Sequence, residues 1–166
     1  MVLFAAALLF FLPKSSLYYA LEHALEKQHI VIGDEALREK AFALELDHAD
    51  IYVEGVRAAK VMHTEIRPWL LYNSVEIRGV RLESMLKEFL PTRVERLDVE
   101  YALWDPLHLR FFAYGDFGKA TGSVDLLKRH LEVSVQPSKS MRLHYAAVLG
   151  RMRKAKEGGF VYEQSF

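Results

Sequence analysis

The chain has no cysteine, so neither a disulfide nor a thiolate metal site can form, and the fold must hold by packing and hydrogen bonding in any redox compartment. Net charge is also missing. Lys plus Arg equals Asp plus Glu at 22 each over 166 residues, which removes the electrostatic footprint of a nucleic-acid-binding protein. No G-x-S-x-G elbow, no P-loop and no H-E-x-x-H occurs, so the usual nucleophile, phosphate and zinc chemistries have no motif to work from. These absences point to a scaffold or binding surface rather than an enzyme, with no cofactor expected.

A full-length membrane span is lacking too. The longest apolar run is Val2 to Leu12, carrying Leu3, Phe4, Leu8, Leu9, Phe10, Phe11 and Leu12. At ~1.5 Å per residue it covers about half of a ~30 Å hydrocarbon core. Three readings compete. The leading one is a membrane or interfacial anchor over residues 1–13 whose first turns lie upstream of the chosen start, followed by one domain over 14–166. A signal-peptide core would want basic residues before the run and small residues after it, whereas Met1 precedes and Pro13-Lys14 follow. The third reading is an apolar helix buried in the fold.

What is abundant is alternation. A helix is expected from Ser16 to Gln28, with Leu17, Leu21, Ala24 and Leu25 on its apolar face. Ile30 to Ile32 then reads as a short strand and Asp34 to Lys40 as a helical turn or ordered loop. From Phe42 the period becomes two: Phe42, Leu44 and Leu46 alternate with polar residues, and Ile51 and Val53 continue after a one-residue shift that places a bulge near His48. Strands follow over Val56–Ile66 and Leu71–Leu82, the latter bent at Gly79. Ser84 to Leu90 reads as a short helix closed by Pro91. Leu97, Val99, Tyr101 and Leu103, then Leu107, Leu109, Phe111 and Ala113, form a hairpin across Asp105-Pro106. Tyr114 to Ser138 adds two strands with Val124, Leu126, Leu131, Val133 and Val135 as apolar positions, punctuated by Gly115, Gly118 and Gly122. A helix over Ser140–Lys154 and a strand over Phe160–Glu163 close the chain. The class is α+β, mainly β: a curved antiparallel meander sheet packed with an N-terminal and a C-terminal amphipathic helix.

The order of apolar anchor, helix and short strand, followed by ALELDHADIYVEG, SVEIRGVRLES, VEYALWDPLHLRFFAYGDFGKATGSVDL and a closing GGFVYE, resembles the AsmA-like superfamily, and within it the type II secretion protein N branch. The resemblance implies an anchor in a bacterial inner membrane and a curved sheet on the periplasmic side, whose concave apolar face can hold acyl chains in larger members. Two functions are therefore expected. The first is a membrane-anchored structural or assembly component of an envelope-spanning machine, partnered by other envelope proteins; the alternative is a small lipid-binding or lipid-transfer module. Leu97, Val99, Tyr101, Leu109, Phe111, Val124 and Leu126 are the residues expected to contact phospholipid or a partner.

Chemistry has one further foothold. His48 and Asp50 lie two apart on one strand and His63 and Glu65 two apart on the next, so each pair shares a face and could contribute to a metal site. A solvated polar face explains the same spacing without a metal. Trp69, Trp104 and Tyr101 read either as packing at the sheet edges or as anchors for a ligand or partner.

Overall fold

A computed structural model describes residues 18–19, 22–23, 25–27, 29–69, 71–86, 91–155 and 158–165. Among these residues eleven strands form a single antiparallel sheet: β1 (Ile30–Gly33), β2 (Ala36–Glu39), β3 (Leu44–Val53), β4 (Val56–Pro68), β5 (Tyr72–Leu82), β6 (Arg93–Ala102), β7 (His108–Gly115), β8 (Gly118–Asp125), β9 (His130–Pro137), β10 (Arg153–Lys154) and β11 (Phe160–Ser165). From β3 to β9 the order in space is the order in the chain, because each connection is short enough to return only to the neighbouring position. β1 and β2 both pair with β3, while β11 pairs with β9 and carries β10 on its other side. The sheet does not close on itself.

Period-two alternation separates the two faces cleanly. Leu44, Ile66, Val75, Val99, Phe111, Gly122 and Val133 stand opposite one another across consecutive strands, and so do Leu46, Thr64, Ile77, Leu97, Ala113, Ala120 and Val135. These rows make one face apolar. Its two ends are covered, at one end by Tyr18 on Leu44 and Leu46, at the other by residues around Val135 that include Met152. Tyr18 also donates a hydrogen bond to Glu35 Oε1 at 2.9 Å, and burial together with that carboxylate pushes its phenol above the ordinary tyrosine value.

A line of interrupted pairing crosses four strands. The ladders skip His48, Met62, Gly79 and Glu95, which lie beside one another, and both His48 (φ 58) and Gly79 (φ 66) take left-handed backbone. The apolar side changes parity here. Leu44 and Leu46 precede His48; Ile51 follows it, paired with Ile32, which packs on the Leu44–Leu46 cluster. In β5, Val75 and Ile77 likewise give way to Leu82, opposite buried Ala59. The shift expected at His48 is thus a left-handed residue that keeps the register, and the extra residue that shifts the count is Ala58, between the Ile51 and Tyr52 pairs.

Several expected elements are corrected. Asp34 to Lys40 forms no helical turn: β2 pairs with β3 through the same register that β1 uses, so the two are one strand interrupted opposite His48. Phe42 precedes β3 and is exposed. The helix over Ser140–Lys154 is replaced by α1 (Lys139–His144) and α2 (Ala146–Leu149), because Tyr145 leaves helical geometry at φ −122 and ψ 32, and Arg153–Lys154 are drawn into pairing with Phe160 and Val161. The cap is Ser138, whose hydroxyl accepts from the Met141 amide, rather than Ser140. Ser84–Leu86 is a single 3₁₀ turn and residues 87–90 lie outside the described chain. Of the helix expected over Ser16–Gln28, Tyr18, Tyr19, Glu22, His23, Leu25 and Glu26 have helical backbone, while Leu17, Leu21 and Ala24 of its apolar stripe lie outside the described residues, as does the whole run Val2–Leu12. Neither expected amphipathic helix is therefore supported over its full length among the described residues.

Candidate functional site

The centre of the apolar face is the first candidate. Leu97, Val99, Tyr101, Leu109, Phe111 and Val124 lie on it together: Val99 pairs with Phe111, Tyr101 with Leu109, and Leu109 with Val124, which faces Leu131. Leu126 is not among them. It follows the end of β8 in the β8–β9 turn, exposed, with its amide bonded to the Leu107 carbonyl. Whereas Leu44, Leu46 and Val135 are buried, Val99, Tyr101, Leu109, Phe111 and Val124 are half-buried, and Leu97, also half-buried, packs on the Val135 cluster. Phe111 extends over Gly122, where an added Cβ would meet its Cζ at 2.4 Å. Glycine is the residue that admits the ring there.

The opposite face is built on charge. Glu45, Glu65, Glu76 and Asp98 stand in one row across four adjacent strands. Like charges directly opposite one another destabilise a sheet, and basic side chains on the flanking rows offset this. Lys40 holds Glu45, Arg67 grips Glu65 with Nε at 2.9 Å, Arg96 binds Asp98 with Nε at 2.7 Å, and Glu76 lies among Arg78, Arg67 and Arg96. Glu76 is only 5% exposed, and its carboxylate is surrounded by three guanidinium groups. The hydrogen bond from Lys40 holds Glu45 below the usual carboxylate range, and that from His63 does the same for Asp47. Among the described residues no buried side-chain polar atom lacks a hydrogen-bond partner.

The weak metal candidates separate. His63 and Glu65 do come together with Glu45, their ligand atoms within 4.8 Å of one another. His48 sits at the line of interrupted pairing, and Asp50 is engaged by Arg57 at 3.3 Å and Lys60 at 3.8 Å. The close trio is already committed as well: His63 to Asp47 at 2.7 Å, Glu65 to Arg67, Glu45 to Lys40. A cation would have to displace those partners, so the arrangement is that of a neutralised polar face.

Two shallow cavities open on the charged face near Tyr72. One, of 240 Å³, includes Arg67, Trp69, Ser74 and Glu100; the other, of 220 Å³, includes Trp104, Asp105, His108 and Arg110. Burial raises the Tyr72 phenol above its ordinary value, and its hydrogen bond to Glu100 adds to the shift. Trp104 stacks on Tyr72 with ring centres 6.3 Å apart rather than on Tyr101, and Trp69 stacks on Phe42 at 5.4 Å. The carboxylate row and its arginines were not legible beforehand, since their convergence depends on strand register; the exposed aromatic pairs were, in part, through the two tryptophans.

Among the described residues no helix is long and apolar enough to cross a membrane. No family model, no curated protein and no solved structure matches the chain.

Proposed function

We propose that the chain is a membrane-anchored lipid-binding module of the bacterial envelope, sited on the periplasmic side of the inner membrane, whose curved sheet lays an acyl chain along its apolar face. One observation supports this above the rest: Tyr101, Leu109 and Phe111 form an apolar strip beside Leu97, which packs on the Val135 cluster, while α1 meets the sheet at β9. An apolar strip of that kind in water requires an apolar occupant.

The second reading, a structural or assembly component of an envelope-spanning machine like type II secretion, draws on the edge of the sheet. β10 pairs with only Phe160 and Val161 of β11, and a partly unpaired edge strand is a template for strand addition by another chain. Placing a charge on the strip, Leu109→Glu, separates the two. Lost lipid photocrosslinking with partner capture intact is the expected result; unchanged lipid labelling with loss of a protein partner would favour assembly.

A further inference from the structure

We propose that one end of the sheet is a docking edge that inserts four loop tips into an anionic phospholipid surface. The connections β2–β3, β4–β5, β6–β7 and β8–β9 all leave the sheet at this end, and they are contiguous. Phe42 stacks on Trp69, the Leu103 amide donates to the Leu71 carbonyl at 2.8 Å, and the Leu126 amide donates to the Leu107 carbonyl at 2.8 Å. Hairpin tips are ordinarily polar. Here Phe42, Trp69, Leu71, Leu103, Trp104 and Leu127 are all exposed, Trp104 at 70% and Leu127 at 72%. At the opposite end the tight turns are Glu54–Gly55 and Asp116–Phe117.

Three observations select a bilayer over a protein. The chain has only two tryptophans and both are on this edge, the residue type that favours the boundary between acyl chains and headgroups. The charged residues of the four loops are Lys40, Lys128 and Arg129 against Asp105; Asp105 meets His108 at 2.6 Å and Arg110 at 2.9 Å, while Lys40 is bonded to Glu45 and Lys128 to Asp125 at 3.1 Å. That balance fits anionic headgroups. The apolar sequence Val2–Leu12 precedes Tyr18, which packs on Leu44, two residues beyond Phe42. The proposal rests on the membrane-anchored reading and adds which edge meets the lipid. It also sets the row Tyr101, Leu109, Val124 and Leu131 next to the surface, where an acyl chain could pass from bilayer to strip.

Because both tryptophans lie on the edge, intrinsic emission reports on it directly. The full chain is mixed with phosphatidylcholine vesicles containing phosphatidylglycerol, with and without brominated acyl chains, and its flotation is measured alongside. The expected result is a blue shift, quenching by bromine, and partitioning that falls roughly tenfold or more in Trp104→Ser/Leu127→Ser with circular dichroism unchanged. Flotation with unshifted, unquenched tryptophan would overturn the docking edge while leaving the anchor reading standing. No flotation at all would sink both. A shift that needs no lipid and grows with protein concentration would assign the edge to a second copy and overturn the proposal.

Discussion

Phe111 and Gly122 state the residue-scale logic most plainly: a large ring is admitted because its cross-strand neighbour has no side chain. A methyl group at Gly122 would also meet Glu132 O at 2.4 Å, so Gly122→Ala is expected to cost about 1–3 kcal/mol by overpacking. Phe111→Ala should cost about 2 kcal/mol, below the range for a fully buried phenylalanine because the ring is half-buried. Thermal melts of the pair decide this, and an unchanged midpoint in both would remove the assigned phase of β7. His48 and Gly79 give an opposed test. Gly79→Ala strains a left-handed residue and costs about 1–2 kcal/mol, whereas His48→Gly relieves one and should be neutral or stabilising. Equal losses from both would contradict the interrupted line.

Charge at the residue scale predicts a pH dependence. Asp105 is held below its ordinary value by His108 and then Arg110, and Asp125 by the amide and side chain of Lys128. With Glu45 and Asp47 also depressed, the unfolded chain binds protons more readily than the folded one as acid is added. Their contribution is complete above the unfolded carboxylate range of about 4 and is lost as pH falls through the lower folded values. Melting midpoints between pH 6 and pH 3 should decline, with a shallower slope in Asp105→Asn. An identical slope in that variant would mean that the His108 contact does not form.

At the scale of elements, legibility followed period. The strands from β3 to β9 were readable because a two-sided sheet stamps alternation on every segment, and the parity changes at His48 and Gly79 showed as shifts in that alternation. β2 was hidden: ALRE offers one apolar residue, and its strand state comes from pairing with β3. The helix expected over Ser140–Lys154 spans the buried residues Met141 and Leu149, but the break at Tyr145 and the recruitment of Arg153–Lys154 by β11 are tertiary effects. Ser138 begins α1 by accepting from Met141 at 3.0 Å while donating to Asp116 O at 2.6 Å. Ser138→Ala should lower stability by about 1 kcal/mol, measured by denaturant midpoint, and no change would mean that the cap is idle. The shared apolar face of Leu97, Val99, Tyr101, Leu109, Phe111 and Val124 was likewise legible, whereas Leu126 is removed from it by the turn after Asp125. The loop-tip edge was not, because its residues are scattered in sequence and meet only through the meander.

The molecule as a whole divides its work between two faces and two ends. One face neutralises a row of carboxylates with basic side chains. The other carries a half-buried apolar strip beside its buried clusters, and next to that strip lie apolar loop tips. Binding of lipid by the strip is the central claim, and native mass spectrometry of the full chain extracted in mild detergent tests it most directly. The account predicts a phospholipid adduct that survives activation and disappears in Leu109→Glu; a lipid-free species, or an adduct equally abundant in Leu109→Glu, would contradict it.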